Sequence, residues 1–547
     1  MPTVTLNKTV FEKLVGKELP LEELKDRISM LGTDLEGIEG SQINVEIFPN
    51  RPDMLSEQGF ARAFSSFIGV KTGLRRYEVK KSGCKVIVDP SVVMRPYTAC
   101  ALIKNLTFTE EKIRELMQIQ EKLATTHGRN RKKSAYGIYP ADAINFPVTY
   151  IAKDPKEVTF QPLGFEKEIN ASQIEELHPK GKTYKHLAEG WDKYPFFIDA
   201  KDKVMCMLPY TNSNDTGKVE TSTKDVFVEC SGVDLKNVEK ALNILVTTLA
   251  DMGGEIYSMD MEYPDKTITT PNLTPERMKL DLDYINKLLG LSLKEDEAIG
   301  ILSNMGYGYE NNEVLIPAYR ADILHQVDLM EDIAIAYGYE NFVEDIPNVA
   351  TIGEEDPLQE FMKKVSTLLT GLQLLEVKNY HLVMEEELNK KMNLSNEAVS
   401  LKNALGEHNH LRNALIPSLI KNLSENQHNE YPQNIFELGR VFQKGQTETG
   451  ILEKENLAVS LCHEKIDFTE AKQVLDALMK SLGTDCVIKE AGYSSFMEGR
   501  SGDIFVSDKK VGVIGELHPQ VITNWQMVMP IVCFELDLEE LFGLVKN

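Results

Sequence analysis

The chain has 547 residues, of which 42% are hydrophobic and 26% are charged, a composition typical of a globular protein with several domains. No apolar run approaches the roughly eighteen residues that a membrane helix needs, so no membrane span is predicted. The seven cysteines form no Cys-x-x-Cys pair, which argues against a disulfide framework or a structural zinc site and fits a reducing cytoplasm.

The formal net charge of −24 restricts how the chain can bind nucleic acid, because phosphate contacts need Lys and Arg. Net charge governs nonspecific association more than it governs one local site. The clearest basic patch is Arg129-Asn130-Arg131-Lys132-Lys133, and the alternative interpretation is a solvated loop. We therefore expect any nucleic-acid contact to use local patches or to be left largely to a partner.

Residues 1–85 are predicted to form a small domain of helices and strands. Helices are expected at 22–31 and 57–68, and a strand is expected at 43–47. Ser56 precedes the second helix and has the side chain of an N-cap.

Residues 86–265 are predicted to form an α+β domain. Strands are expected at 86–88 and 226–228, and helices are expected at 110–123 and 235–251. The last helix has an apolar face suited to packing on a sheet.

Residues 266–345 include four carboxylates within eleven residues, in the stretch from Asp322 to Asp332. On a helix, Asp328, Glu331 and Asp332 share one face. Like charges so close repel one another, and magnesium, which prefers one or two carboxylates plus waters and often a ligand from a partner, would relieve that repulsion. The alternative is a solvated helix start, where acidic residues also suit the helix dipole.

The rest of this segment predicts a small helical domain with a wing-like hairpin. Helices are expected at 280–289 and 296–305, and a short strand at 313–316. In the acidic helix, the residues expected to face away from the acidic side, toward the core, are Val327, Met330, Ile333, Ala334 and Tyr337.

Residues 346–547 open with an acidic linker and a helix expected at 359–372, followed by several strands and helices. This segment has no P-loop and no Gly-x-Gly-x-x-Gly motif.

Motifs along nearly the whole chain resemble the β subunit of phenylalanyl-tRNA synthetase in its shorter archaeal and eukaryotic form. The most specific combines Pro317-x-x-Arg320 with the acids Asp322, Asp328, Glu331 and Asp332 and a trailing Tyr-Gly-Tyr at 337–339. The other motifs lie at 49–53, 128–139, 178–187, 212–217, 411–419, 435–442 and 515–519.

The resemblance implies an α+β multidomain fold. It divides the chain into an N-terminal domain (1–85), an α+β editing domain (86–265), a winged-helix-like module (266–345) and a class II synthetase-like antiparallel-sheet core (346–547). It also implies a magnesium site that the α subunit completes. The ligands that it assigns on this chain are Asp322, Asp328, Glu331 and Asp332.

The synthetase-like core is expected to be catalytically empty. Class II synthetases place an arginine and then a glutamate after Val-Phe, whereas here Val441-Phe442 is followed by Gln443 and Lys444. A glycine-rich turn ending in Glu-Arg is also missing near the C-terminus, where the chain reads Glu535-Leu-Asp-Leu-Glu-Glu. The family implies that the α subunit binds ATP and phenylalanine, in an α₂β₂ tetramer that charges tRNA-Phe.

A separate hydrolytic activity is expected in residues 86–265. A pocket that selects phenylalanine by apolar contact cannot strongly reject tyrosine, and in the family this domain hydrolyses mischarged Tyr-tRNA. Glu229, where relatives often have Asp, is expected to accept the tyrosyl hydroxyl proton, and Cys230-Ser231 stands where Val-Thr is usual. The pocket residues implied by the motifs are His178, Gly181, His186, Asn212, Ser213, Asn214, Thr216, Glu229 and Ser231.

Two other interpretations remain open at this point. Each of these polar residues could instead be an ordinary turn or capping residue, so that the chain would be a non-catalytic scaffold or tRNA-binding protein. The chain could also be a free-standing editing deacylase that needs no partner.

Overall fold

The structure is a computed structural model that describes residues 2–404 and 406–545. The chain divides into two compact units, Met1–Ile346 and Pro347–Asn547, so the division falls one residue from the predicted start of the last domain. No helix within the described residues has both the length and the apolar content to cross a bilayer. All seven cysteines are free thiols.

The N-terminal part of the first unit is a three-stranded sheet, ordered β1-β3-β2, with three helices packed beside it. Phe11 lies between Phe60 and Phe64 in its core, with ring centroids 5.7 and 5.2 Å away. The Oγ of Ser56 accepts the N–H of Gly59, which confirms the predicted cap. The elements are β1 (Thr3–Asn7), α1 (Lys8–Val15), α2 (Leu21–Met30), β2 (Asp34–Glu39), β3 (Gln42–Glu46) and α3 (Glu57–Phe67).

The second part is built on a ten-stranded sheet, with the order β12-β11-β10-β7-β4-β14-β5-β13-β6 and β15 paired to β14. It starts at Val79 and ends at Thr270, so it extends past both predicted boundaries. The elements are β4 (Val79–Val88), β5 (Tyr97–Lys104), α4 (Glu110–Thr125), β6 (Ser134–Pro140), β7 (Val148–Lys153), β8 (Thr159–Phe160), β9 (Ile169–Asn170), α5 (Ile174–Leu177), α6 (Pro179–Tyr184), β10 (Tyr194–Ile198), β11 (Val204–Met207), β12 (Thr211–Asn212), β13 (Val226–Gly232), α7 (Leu235–Asp251), β14 (Glu255–Glu262) and β15 (Thr267–Thr270).

Strand β13 is buried on both sides, so its alternating residues enter two different cores. Val226, Val228 and Cys230 pack in the cluster that contains α7. Phe227 belongs to the cluster on the opposite face, and Glu229 and Ser231 point to that same face because they are two and four residues further along.

The third part has three antiparallel strands, ordered β16-β18-β17, and three helices. Asn311 and Asn312 have φ angles of 53° and 63°, the conformation of a tight two-residue turn, and join the predicted hairpin. The elements are β16 (Glu276–Lys279), α8 (Leu282–Leu289), α9 (Glu295–Asn304), β17 (Gly308–Glu310), β18 (Glu313–Ile316) and α10 (Gln326–Tyr337).

The buried face of α10 agrees with the prediction at Ile333 and Ala334, which are 0% and 2% exposed, and differs from it elsewhere. Val327 is 37% exposed, whereas Leu329 is fully buried and Asp332 is only 4% exposed. The apolar pattern was misleading because a buried arginine, Arg320, accompanies Asp332 into the core and neutralises its charge. The helix is therefore rotated relative to the arrangement that hydrophobicity alone predicts.

The second unit is built on a seven-stranded sheet, ordered β19-β23-β24-β28-β27-β26-β25. Its pairs are antiparallel except for β19 with β23. The elements are α11 (Pro357–Gly371), β19 (Leu375–Glu376), β20 (Leu382–Val383), α12 (Glu385–Leu388), β21 (Val399–Ser400), β22 (His410–Leu411), α13 (Ile416–Glu425), β23 (Gln433–Lys444), β24 (Ile451–Cys462), α14 (Phe468–Ser481), β25 (Val487–Glu490), β26 (Phe496–Val506), β27 (Lys509–Leu517), α15 (Pro519–Asn524), β28 (Ile531–Asp537) and α16 (Leu538–Val545).

Candidate functional site

Glu229 lies at the centre of β13 and is completely buried. The Ser231 hydroxyl donates to its Oε1 over 2.9 Å, and the Tyr139 hydroxyl donates to its Oε2 over 3.1 Å. Burial raises the pKa of Glu229 to about 7, although these two hydrogen bonds lower it in part. The carboxyl group is therefore poised between its charged and neutral forms near neutral pH.

Asn212, at the end of β12, joins the same group of side chains. Its Oδ1 lies 3.2 Å from the hydroxyl of Tyr139. The structure therefore brings three of the nine predicted pocket residues, Asn212, Glu229 and Ser231, together around Tyr139. Tyr139 was not among the predicted pocket residues, although it ends the motif 128–139 and lies two residues from Gly137 on the same strand face.

The turn after β12 holds three further predicted residues, which bond to the backbone of the turn and of the segments packed against it. Thr216 Oγ1 donates to the carbonyl of Met205, and the hydroxyl of Ser213 accepts the N–H of Asp215. The N–H of Asn214 donates to the carbonyl of Gln161. These contacts fix the turn that presents Asn212, which is a positioning role.

The remaining three predicted residues lie on the helical segment 178–188. His178 caps α6, because its Nδ1 accepts the N–H of Lys180, and its ring stacks on Phe165. Burial lowers the pKa of His178 below its ordinary value, so the imidazole is neutral at neutral pH. A Cβ at Gly181 would lie 2.0 Å from the carbonyl oxygen of Ile174, so this glycine serves close packing.

His186 does not lie with the side chains around Tyr139 and Glu229. It is exposed on a short helical turn, Lys185–Ala188, and no hydrogen bond links it to another predicted pocket residue within the described part of the chain. Sequence proximity to His178 placed it in the motif, but the turn directs it to solvent.

Arg95 is a buried cation near Glu229 that the sequence analysis also missed. Its guanidinium donates to the carbonyls of Ser231 and Arg131, each over 3.0 Å. The positive charge favours the ionised form of Glu229 and therefore limits the rise in its pKa. Arg95 thus supports the backbone on which the candidate pocket is built.

Only part of the predicted basic patch is exposed to solvent. Arg131 turns inward and donates to the carbonyls of Pro209 and Tyr210. Arg129 and Lys132 are exposed. Arg129, Asn130 and Arg131 have consecutive φ angles of 49°, 52° and 63°, a strained arrangement for residues other than glycine.

The four acidic residues of the third part separate into two pairs. In the inner pair, Asp322 receives two hydrogen bonds of 2.8 Å from Arg320, and Asp332 receives one of 2.7 Å from the same guanidinium. The hydroxyl of Tyr307 also donates to Asp332. Burial alone would raise the pKa of Asp322, but the charge and hydrogen bonds of Arg320 hold it below its ordinary value.

The outer pair lies toward solvent. Asp328 Oδ2 accepts the N–H groups of Leu324 and His325, each over 2.7 Å, and so caps α10. Glu331 is exposed, and its Oε1 accepts the hydroxyl of Tyr339.

In this chain alone, the four carboxylates stand in two separate pairs. Among the described residues, no three His, Cys, Asp or Glu side chains form a cluster that could hold one. Arg320 already supplies a cation to the inner pair, so the expected set of four ligands is not assembled by this chain alone.

The sheet of the second unit carries a cavity of about 430 Å³. Glu535 lies at its base and is buried, with its carboxylate accepting the N–H groups of Leu415 and Ile416 and the side-chain amide of Asn456. Glu535 is therefore committed to holding the start of α13. Other residues that line the cavity are Met392, Tyr493, Phe496 and Lys454.

The three arginines of the second unit are all engaged in ion pairs with glutamates, and within the described residues none of them lines this cavity. The pairs are Arg412–Glu437 at 2.6 Å, Arg440–Glu453 at 2.8 Å and Arg500–Glu516 at 2.7 Å.

Known proteins match this chain from end to end. A model of the tRNA synthetase B5 domain matches residues 278–339, and a model of the phenylalanyl tRNA synthetase beta chain CLM domain matches residues 344–538. An N-terminal fragment of the phenylalanyl-tRNA synthetase beta-subunit from Pyrococcus horikoshii, solved as a crystal structure, is 38% identical with a TM-score of 0.59, and the match covers 61% of this chain and 99% of the fragment.

Full-length relatives are similar to a comparable degree. The phenylalanine–tRNA ligase beta subunit of Pyrococcus abyssi is 40% identical over 555 residues, which covers 99% of this chain and 100% of the relative. The beta subunit of Archaeoglobus fulgidus is 38% identical over 552 residues, which covers 99% of both. The chain therefore belongs to the family of phenylalanine–tRNA ligase beta subunits.

Proposed function

We propose that this chain works with an α subunit, as an α₂β₂ tetramer, to ligate phenylalanine to tRNA-Phe with ATP as the energy source. The observation that carries this proposal is the similarity over 99% of the chain to beta subunits of this ligase. The free cysteines agree with work in a reducing compartment such as the cytoplasm.

The chemistry of activation is assigned to the α subunit. Attack on ATP needs positive groups that neutralise the developing phosphate charge, usually arginines and magnesium. Every arginine of the second unit is held by a glutamate, and Gln443 stands beside the cavity where the class II pattern calls for an arginine. The class II-like sheet of this chain is thus a scaffold, and pairing with the α subunit is its role.

The test compares the chain alone, the α subunit alone and the co-expressed pair. We expect phenylalanine-dependent exchange of pyrophosphate into ATP, and charging of tRNA-Phe, only with the pair. Exchange catalysed by this chain alone would contradict the assignment of activation to the partner.

We further propose that residues 86–265 hydrolyse Tyr-tRNA-Phe. A carboxyl acceptor buried beside apolar side chains is suited to distinguish tyrosine from phenylalanine, because it is satisfied by the extra hydroxyl and left unpaired by its absence. Glu229 is such a group, and Phe227 lies on the same face of β13. Asn212 and Ser231 would help to orient the bound tyrosyl group.

Deacylation of Tyr-tRNA-Phe and Phe-tRNA-Phe by the assembled enzyme tests this proposal. Glu229→Gln keeps the shape of the side chain but loses the charged acceptor, and we expect it to remove most of the preference for the tyrosyl ester. Glu57→Gln is a matched control, since Glu57 is also buried and also has a pKa of about 7, but it accepts the N–H of Asn7 in the N-terminal domain. An unchanged preference in Glu229→Gln would refute the proposed role.

We propose that magnesium binds only the outer acidic pair, Asp328 and Glu331, with further ligands from the α subunit. Two carboxylates plus waters and a partner ligand suit this ion. The double variant Asp328→Asn, Glu331→Gln keeps the acceptor that caps α10 but removes both charges. We expect it to weaken magnesium-dependent assembly measured by analytical ultracentrifugation, whereas Asp296→Asn, an exposed acid of the same module, should not. Equal magnesium dependence in both variants would contradict this site.

Contact with tRNA is proposed for the exposed Arg129 and Lys132. Replacing both with alanine should weaken tRNA binding and reduce its salt dependence by about two phosphate contacts. An unchanged salt dependence would exclude this patch.

A further inference from the structure

Glu229 accepts hydrogen bonds from two hydroxyl groups of this chain, and one of them is the phenol of Tyr139. Resting on the proposed deacylation of Tyr-tRNA-Phe, we propose that Tyr139 gates the pocket by competing with the substrate for Glu229. Its phenol occupies the acceptor that reads the substrate phenol, and a tyrosyl group can bind only when Tyr139 moves aside.

The position of Tyr139 follows from the register of two strands. Glu229 on β13 pairs with Gly137 on β6, and Tyr139 lies two residues further along the same face. A Cβ at position 137 would lie 2.3 Å from the Tyr139 hydroxyl and 2.6 Å from Glu229 Oε2. Glycine at this position therefore leaves the space in which the phenol and the carboxyl group meet.

The two groups are closed off from solvent. Tyr139 and Glu229 both have no exposed surface, and the Tyr139 ring lies 5.9 Å from the ring of Phe227. Glu229 Oε1 accepts Ser231 and Oε2 accepts Tyr139. Because Glu229 has no exposed surface, a substrate phenol can reach this carboxyl group only if a side chain that covers it, such as Tyr139, moves.

Of the two donors to Glu229, Tyr139 is the one that a tyrosyl substrate can replace with an equivalent hydrogen bond. Its phenol is the same functional group as the substrate side chain, so replacing one by the other conserves the hydrogen bond to Glu229. A phenylalanyl group that displaced Tyr139 would leave Oε2 of the buried Glu229 without its hydrogen bond, which is unfavourable. The gate thus opens readily for a tyrosyl ester and poorly for a phenylalanyl ester.

The fold gives the gate room to move. Strand β6 lies at the end of the described strand order and pairs with β13 on one side. It leads into a short helical turn, Ala141–Ala143, whose residues are all at least partly exposed. An edge strand followed by such a turn opens more easily than a central strand.

The decisive variant is Tyr139→Phe in the assembled enzyme. It removes the competing hydroxyl and keeps the ring, so we expect kcat/KM for deacylation of both Tyr-tRNA-Phe and Phe-tRNA-Phe to rise about tenfold, the equivalent of one hydrogen bond to a carboxylate. Their ratio should stay near the wild-type value. Tyr136→Phe is the matched control, because the Tyr136 hydroxyl bonds Ser134 and its side chain points to the opposite face of β6.

The outcomes separate this inference from the function on which it rests. If Glu229→Gln loses the tyrosyl preference but Tyr139→Phe is no faster than wild type or Tyr136→Phe, the gate is refuted and the deacylase remains. If neither wild type nor Tyr139→Phe hydrolyses Tyr-tRNA-Phe, the proposed deacylation is refuted and the gate with it.

A second measurement detects movement of residue 139 while its phenol is retained. With 3-fluorotyrosine placed at position 139, the ¹⁹F resonance should move when a non-hydrolysable 3′-tyrosylamino adenosine is bound. A resonance that stays in place while this compound binds at the pocket would overturn the gate.

Discussion

Replacing Arg320 with methionine should destabilise the first unit strongly. The guanidinium makes two hydrogen bonds of 2.8 Å to Asp322 and one of 2.7 Å to Asp332, and all three side chains are at most 10% exposed. Without Arg320 both carboxylates would be buried without a hydrogen-bonded cation, and only the more distant charge of Arg51 would still act on Asp322. Removing one partner of a buried ion pair costs about 3–5 kcal/mol, so we expect a loss of about that size in the free energy of unfolding.

The chain offers a selective reporter for this measurement. Its two tryptophans are Trp191 in the first unit and Trp525 in the second. In a Trp525→Phe background, urea unfolding followed by tryptophan fluorescence therefore reports on the first unit alone.

The stability difference between wild type and Arg320→Met should depend on pH. Arg320 holds the pKa of Asp322 below 3.8, so its stabilising effect is complete above that value and is lost as the pH falls through the lower pKa of the folded state. The difference between wild type and Arg320→Met should narrow as the pH falls toward and below 3.8.

Arg277→Met provides the control for the loss of an arginine. Arg277 is 43% exposed and pairs with Glu310 and Glu313 over 3.3 and 3.4 Å, so its loss should change stability by at most about 1 kcal/mol. A change of less than about 1 kcal/mol in Arg320→Met, or a difference that does not vary with pH, would refute the account of the inner acidic pair.

Three further predictions concern buried groups. Gly137→Ala should lower the stability of the first unit and slow deacylation, because its Cβ would collide with Tyr139 and Glu229; urea titration and the deacylation assay check this, and wild-type values for both would contradict it. Arg412→Met should destabilise the second unit by about 3–5 kcal/mol, read from Trp525 fluorescence in a Trp191→Phe background, because it leaves the buried Glu437 without its cation. Burial raises the pKa of Glu229 from 4.5 to about 7, so the stabilisation by its neutral form is complete below pH 4.5 and is lost as the pH rises through 7. Wild type should therefore lose stability relative to Glu229→Gln over this range. If the stabilities of the two proteins vary with pH in parallel, the pKa of Glu229 is not raised.

Local patterns predicted many of the elements well. The helix Leu235–Asp251 and the strand Glu313–Ile316 have the bounds that the sequence indicated, and Ser56 caps the helix that follows it. Apolar periodicity and capping residues depend on near neighbours in the chain, so they are legible without a structure.

The missed features depend on contacts between distant segments. Tyr139 meets Glu229 because β6 pairs with β13, ninety residues further along the chain. The alternation of residues along one strand does not predict which strand it pairs with. The burial of Asp332 was missed for a related reason, since Arg320 and Tyr307 reach it from other elements.

Family motifs, in turn, identified residues without their roles. Gly181 and His178 stand in the same motif as His186, yet the first serves close packing and the second caps a helix. The four acidic residues were grouped by spacing, whereas the structure divides them by what each one accepts from its neighbours.

We propose that synthesis belongs to the partner, whereas correction belongs to residues 86–265 of this chain. The most direct test measures both activities in one Glu229→Gln complex, namely the charging of tRNA-Phe with phenylalanine and the hydrolysis of Tyr-tRNA-Phe. We predict that charging keeps the wild-type rate while hydrolysis of the tyrosyl ester is lost. Charging and hydrolysis that fall together, or hydrolysis that persists unchanged, would contradict the account.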